Sequence, residues 1–190
     1  TRHCVIHGHF YQPPRENPWT GIVEVQKSAH PFHDWNERVF EECYRPNAFS
    51  RILDKNGMIT HISNNYTSMS FNFGPTLFCW LEEKHPEVVE RIIEADKESR
   101  VRLEGHGNAI GQIYNHTILP LANRRDKLTQ IRWAKRFFES RFERPCEGMW
   151  LSETAIDMET VECLVEENIQ FVILSPTQAW ATRHLNHDES

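Results

Sequence analysis

Glu153 is the residue of this chain best set for acid–base or nucleophilic chemistry. It follows Gly148-Met149-Trp150-Leu151-Ser152, a short apolar stretch that reads as the end of a β-strand. In α/β proteins, reactive groups collect at the C-terminal ends of strands. A Trp beside a carboxylate suits a sugar, because the indole face covers the apolar C–H face of a pyranose while the acid works on the bond. The same pattern also describes an ordinary strand followed by a helix with an acid in its first turn, which the helix dipole favours. Other polar groups recur after other predicted strands: His7, His9 and Gln12 after the first, Asn72 after the next, and His106, Gln112 and His116 around a third. Polar residues at several strand ends, with apolar strand interiors, describe a cleft on one rim of a sheet.

His7-x-His9 also has the spacing of a metal pair, since alternate residues of a strand point the same way. His106 or His116 and an acid would have to complete it. No dense His/Asp/Glu spacing supports that, and no metal or other cofactor is expected. Gly105-x-Gly107 is not followed by the Lys-Ser/Thr of a phosphate loop, and no Gly-x-Ser-x-Gly elbow is present. Trp150, with Trp19 and Trp35 in a long loop, is placed to stack on a ligand; the remaining tryptophans read as core.

The elements that must carry these residues alternate. A β-prone run, Cys4 to His7, ends before Tyr11-Gln12-Pro13-Pro14, and a long loop runs from Asn17 to His33, punctuated by Pro18, Gly21 and Pro31. Asp34 or Asn36 caps a helix expected to reach about Asp54, broken or kinked at Pro46. Strands are expected over Met58–Ile62 and Ser68–Phe73, and helices begin at Pro75 and Pro86, the latter closing near Arg102. Glu104 to Tyr114 is a glycine-punctuated strand candidate. Asn123 caps a long amphipathic helix, the strand bearing Trp150 follows, Asp157 caps another helix, and Ile169–Leu174 is a further strand. Strands separated by amphipathic helices predict an α/β fold with a parallel sheet. Residues 179–190 carry no strong pattern and are expected to be a tail to a catalytic unit spanning 1–178.

At 190 residues the chain is long enough for one domain with a substantial core. A net charge of −6 argues against a nucleic-acid partner. No apolar run approaches the length of a membrane helix, so no membrane partner is expected. Five scattered cysteines form neither a disulfide framework nor a Cys-x-x-Cys site, and read as free, mostly buried thiols of a cytoplasmic protein.

Three segments occur in an order that resembles glycoside hydrolase family 57: His7-Gly8-His9-Phe10-Tyr11-Gln12-Pro13, Asn115-His116-Thr117-Ile118-Leu119-Pro120-Leu121, and Gly148-Met149-Trp150-Leu151-Ser152-Glu153. The first, continued by Pro14, is similar to the subgroup that opens with His-Gly-His-Phe-Tyr-Gln-Pro-Pro. The resemblance implies an incomplete, seven-stranded (β/α) barrel, of which this chain would be the first four to five units, a partial parallel (β/α) barrel. It implies α-glucan chemistry of the α-amylase, branching or 4-α-glucanotransferase kind, by a retaining double displacement with Glu153 as nucleophile. His7, His9, Gln12, Asn72, His116 and Trp150 would line the sugar site, and the partner would be an oligo- or polysaccharide.

This chain departs from that pattern twice. Ser152 stands where the family usually has Pro, which frees the backbone beside the nucleophile. The family's fourth conserved region, which supplies an Asp as general acid/base, has no counterpart, and Asp188 lacks its flanking pattern. The expectation is a protein truncated before its acid/base and inactive alone, since acid–base assistance contributes roughly 10²–10⁴-fold. A barrel edge left open is also expected to favour association. Two rival functions remain: a metal-dependent carbohydrate deacetylase using His7 and His9, and a non-catalytic carbohydrate-binding module.

Overall fold

The computed structural model describes residues 4–181. Its frame is a set of short parallel strands connected mainly by helices. Strand β1 (His7–Phe10) pairs in parallel with β4 (Ser70–Phe73), His7 opposite Ser70 and His9 opposite Asn72. Strand β5 (Gly111–Gln112) pairs in parallel with β6 (Gly148–Trp150), Gln112 opposite Trp150, and β6 pairs in parallel with β7 (Phe171–Val172). A parallel bridge between Phe71 and Ala109 joins the two groups, with Phe71 N donating to Asn108 O at 3.0 Å and Ile110 N to Phe71 O at 2.8 Å. The parallel strands therefore follow one another in space in chain order.

Two differences from the sequence reading matter for the site. The first strand lies over His7–Phe10, not Cys4–His7, so both histidines stand inside a strand and project from one face of it. The partner decides this: Phe10 is buried against Phe73, Tyr44 and Tyr66, whereas Val5 and Ile6 remain exposed. The Glu104–Tyr114 candidate contracts to β5 and the bridge at Ala109, and Ile169–Leu174 contracts to β7.

The helix expected to reach Asp54 stops at Ala48. Helix α1 (Trp35–Val39) is capped by Asp34, whose Oδ1 accepts from the amides of Asn36 and Glu37. A π-helical segment (Phe40–Tyr44) leads without a break in helical backbone into α2 (Arg45–Ala48), so Pro46 does not end the helix, and the wider π-helical turn lies directly before it. The chain then forms an antiparallel hairpin, β2 (Ser50–Leu53) with β3 (Ile59–Ser63).

Helices α3 (Pro75–Lys84), α4 (Pro86–Arg102), α5 (Arg124–Phe142) and α6 (Met158–Glu166) begin where proline or a capping side chain predicts. Asn123 accepts from Asp126 N, and Asp157 from Thr160 N. Their apolar faces join the strands in one core that includes Phe71, Phe78, Ile92, Ile131, Phe138 and Met149. Below the strands, buried Asp96 of α4 accepts from Arg100, Arg144 and the amide of Ala109, fixing the approach to β5. Cys146 and Cys163 are buried, Cys43 is half-buried, and Cys4 and Cys79 are exposed, so the thiols are free but not mostly buried. The region 182–190, including Asp188, lies outside the described residues.

Candidate active site

The register of the parallel strands builds the site. Because His7 faces Ser70 and His9 faces Asn72 across β1 and β4, all four side chains emerge on one face. Gln112 and Trp150 end β5 and β6 side by side, and the turns beyond them carry His116 and Glu153.

A continuous set of hydrogen bonds links these groups. Ser70 Oγ lies 2.6 Å from His7 Nδ1, and His7 Nε2 lies 2.9 Å from Asn72 Oδ1. Asn72 Nδ2 donates to Gln112 Oε1 at 2.5 Å and lies 2.9 Å from His9 Nδ1. Gln112 Nε2 lies 3.4 Å from His116 Nδ1, the longest contact, and His116 Nε2 lies 3.1 Å from Glu153 Oε1. Asn72 is 0% and Gln112 3% exposed, while the Glu153 side chain is 73% exposed, so the set runs from the interior to solvent. Burial pushes His7 and His9 below the ordinary imidazole range, and the hydrogen bonds of Asn72 only partly oppose it.

Aromatic stacking holds the rings. His9 lies on Trp150 with centroids 4.3 Å apart, and His7 lies nearly parallel to Trp150 at 5.5 Å. Tyr11 lies on His116 at 3.8 Å. One face of Trp150 is thus covered by the exposed His9, and the indole backs the histidines instead of standing bare. Its Nε1 is buried with no protein partner among the described residues. Burial, and then the charge of Glu153, push the Tyr11 hydroxyl above its ordinary range.

Glu153 and His116 share an uncommon backbone state, with φ of 56° and 55°. Non-glycine residues adopt this left-handed region rarely, and strain of this kind gathers at functional sites. Gly74 gives the site room: a Cβ there would come within 3.0 Å of both Gln112 Nε2 and Tyr11 Cδ2.

The structure thus brings together His7, His9, Asn72, His116, Trp150 and Glu153. Gln12 is separate. Its Nε2 donates to the Tyr44 hydroxyl at 3.3 Å and its Oε1 accepts from Arg15 Nη2 at 2.6 Å, and Arg15 also reaches Asn36 and Gln26. Gln12 therefore anchors the long loop. His106 is also apart: it precedes β5 and pairs with Glu147, which precedes β6, at the opposite end of the strands. The metal-pair reading meets a geometric obstacle, because both nitrogens of His7 and Nδ1 of His9 are already engaged. No group of three His, Cys, Asp or Glu side chains among the described residues is placed to hold a metal ion.

Ser70 and Tyr11 were missed as site residues. Ser70 was findable from its two-residue spacing to Asn72, once that strand is paired with His7 and His9. Tyr11 carried no signal of its own, since its place against His116 depends on the turns after β1 and β5. The recess of about 490 Å³ lined in part by Glu16, His33, Glu37 and Trp80 contains none of the site residues.

Among known proteins, the chain is 25% identical over 140 residues to alpha-amylase 1 of Dictyoglomus thermophilum, covering 73% of this chain and 18% of that protein. In structure it is similar to 4-alpha-glucanotransferase from Thermococcus litoralis, with a TM-score of 0.62 at 18% identity over 90% of this chain and 22% of that one. It is also similar to the alpha-amylase AmyC from Thermotoga maritima, with a TM-score of 0.57 at 12% identity over 90% of this chain and 39% of that one. At these identities the structural likeness concerns the α/β fold, and the chain spans well under half of each of these proteins. The model of glycosyl hydrolase family 57 matches residues 5–187, and the chain belongs to that family.

Proposed function

We propose that residues 1–178 form part of the catalytic barrel of an α-glucan-acting glycoside hydrolase or 4-α-glucanotransferase, with Glu153 as the nucleophile of a retaining double displacement. The observation that carries this reading is Glu153 itself. It is an exposed carboxylate in a strained turn beyond parallel strands, hydrogen-bonded to His116 at 3.1 Å, in a chain of this family. The chain order of the parallel strands supports a barrel segment. The named activities of the amylase and glucanotransferase relatives support α-glucan as the substrate class.

In this mechanism one oxygen of Glu153 attacks the anomeric carbon as the glycosidic oxygen departs, giving a covalent glycosyl ester that water or a second sugar then resolves. His116 holds the other oxygen. His9, backed by Trp150, lines the approach, buried Asn72 holds His9 and His7 from beneath, and Gln12 holds the loop beside it. The retaining mechanism requires a second carboxyl about 5–5.5 Å from the first. Among the described residues Glu153 is the one carboxylate joined to the hydrogen-bonded set, so departure of an ordinary glycosidic oxygen lacks its proton donor and the chain is expected to turn over natural glucan poorly. Free thiols fit the reducing cytoplasm as its setting.

The test uses a substrate whose leaving group needs little protonation. With an α-maltosyl fluoride, the bond from C1 to fluorine breaks, a bond from C1 to a Glu153 oxygen forms, and fluoride leaves with the electron pair. Mass spectrometry of digested protein should find a maltosyl adduct on the peptide bearing Glu153, and Glu153→Gln should abolish it. Absence of an adduct on folded wild-type protein, or an adduct that survives Glu153→Gln, overturns the assignment.

A further inference from the structure

We infer that Asn72 and Gln112 are positioning residues that set the tautomer of His116, and through it the oxygen that Glu153 presents to a substrate. Its functional consequence rests on the proposed role of Glu153; the tautomer itself does not.

The direction of every hydrogen bond follows from the exposed end. An ionised carboxylate only accepts, so His116 Nε2, 3.1 Å from Glu153 Oε1, carries the proton. In a neutral imidazole the other nitrogen then accepts, and the group facing His116 Nδ1 must be a donor. That group is the Gln112 amide nitrogen. With its nitrogen committed there, Gln112 turns its oxygen to Asn72 Nδ2 at 2.5 Å. Asn72 in turn exposes its oxygen to His7 Nε2 at 2.9 Å, which makes His7 Nδ1 an acceptor for the Ser70 hydroxyl at 2.6 Å. Five donors thus point one way, from Ser70 to Glu153.

Burial makes this polarity durable. Asn72 and Gln112 are almost wholly enclosed, so a reversed amide would set oxygen against a nitrogen lone pair with no solvent to compensate. The ring of His116 cannot readily turn over, because Tyr11 lies flat against it at 3.8 Å. His9 Nδ1 faces the same amide, 2.9 Å from its nitrogen and 3.3 Å from its oxygen; the shorter contact makes Nδ1 an acceptor and leaves the His9 proton on Nε2. The consequence for chemistry is asymmetric: Oε1 of Glu153 is tied by a hydrogen bond, and Oε2 is the oxygen presented for attack.

Nitrogen NMR of protein labelled at histidine reads the tautomer directly, through the couplings between ring protons and the two ring nitrogens. Wild-type His116 is expected as the Nε2–H form. Asn72→Asp replaces the donor facing Gln112 by an acceptor, so the Gln112 amide must turn and His116 Nδ1 must gain a proton beside the one that Glu153 holds on Nε2, although residue 72 does not touch it. Gln112→Glu places an acceptor directly against Nδ1 and should likewise protonate it. Ser70→Ala removes the first donor without reversing any other and should leave His116 as Nε2–H. A wild-type His116 protonated on Nδ1, or one whose Nδ1 stays bare in folded Asn72→Asp protein, overturns the inference. The wild-type measurement needs no variant to fold. Failure of the maltosyl adduct would remove the nucleophile and leave the tautomer result standing.

Discussion

Thr154 follows Glu153 in the left-handed region, with φ of 53°, and it is β-branched, the residue class that tolerates this region least. Holding an L-residue there costs roughly 1–2 kcal/mol. The strain turns the chain sharply after β6 and lifts the carboxylate toward His116. Thr154→Gly is therefore expected to raise stability by about 1 kcal/mol in chemical denaturation, against the usual loss for a glycine substitution. Loss of stability instead would show the turn to be unstrained. His7 and His9 give a second expectation at this scale. Burial lowers both from the ordinary value of 6.5, so they stay neutral in the fold to lower pH than in the unfolded chain. As pH falls through 6.5 the unfolded chain takes up protons that the folded chain refuses, so their contribution to stability is lost downward from there and is flat above. Melting temperatures compared at about pH 7.5 and about pH 5.5 should drop for wild type and drop less for His7→Gln.

Elements carry these residues to each other, and one capped helix reaches directly into the site loop. Asp34 is buried and accepts from Asn36 N at 2.8 Å and Glu37 N at 3.2 Å; Asn36 then accepts from Arg15, which holds Gln12. Asp34→Ala should cost about 1–2 kcal/mol in denaturant unfolding and Asp34→Asn much less, since the amide oxygen still caps. Equal losses would mean that charge, not capping, is what Asp34 supplies. Caps and prolines were also the most legible features of the chain: Asp34, Asn123, Asp157, Pro75 and Pro86 each start the helix their chemistry predicts, because those signals act within one turn. The hairpin β2–β3 was half legible. Asp54, whose side chain accepts from the amides of Asn56 and Met58, and Gly57 at a φ of 78° mark its turn, but Ile52 and Leu53 also continue a helical apolar spacing. The choice between helix and strand there depends on Phe49 and on pairing with β3, which local pattern does not contain. The site was legible as a set of strand-end polar residues and not as a connected set. Connection required knowing that His7 faces Ser70 and Gln112 faces Trp150, and register is a property of two segments.

At the scale of the molecule, the parallel series ends at β7, and no further strand pairs with it among the described residues. Phe171 within it and Leu174 just beyond it are 49% and 37% exposed. An unpaired strand with apolar neighbours offers both backbone hydrogen bonds and apolar area to a second chain. The hairpin is a competing surface, with Ile52, Leu53, Ile59 and Ile62 half-exposed. Its geometry works against pairing: a register shift falls between Ile52 and Leu53, and Arg51 and His61 stand within the strands, features that discourage edge-to-edge addition. The β7 edge is therefore the surface expected to drive self-association of this 190-residue chain. Light scattering across a concentration series should show mass rising above the monomer, Leu174→Lys should suppress the rise, and Ile62→Lys should not. The opposite ranking of the two variants would move the contact to the hairpin. A monomer at every concentration would mean that the β7 edge is protected by its own short length and twist, as edge strands of two residues can be.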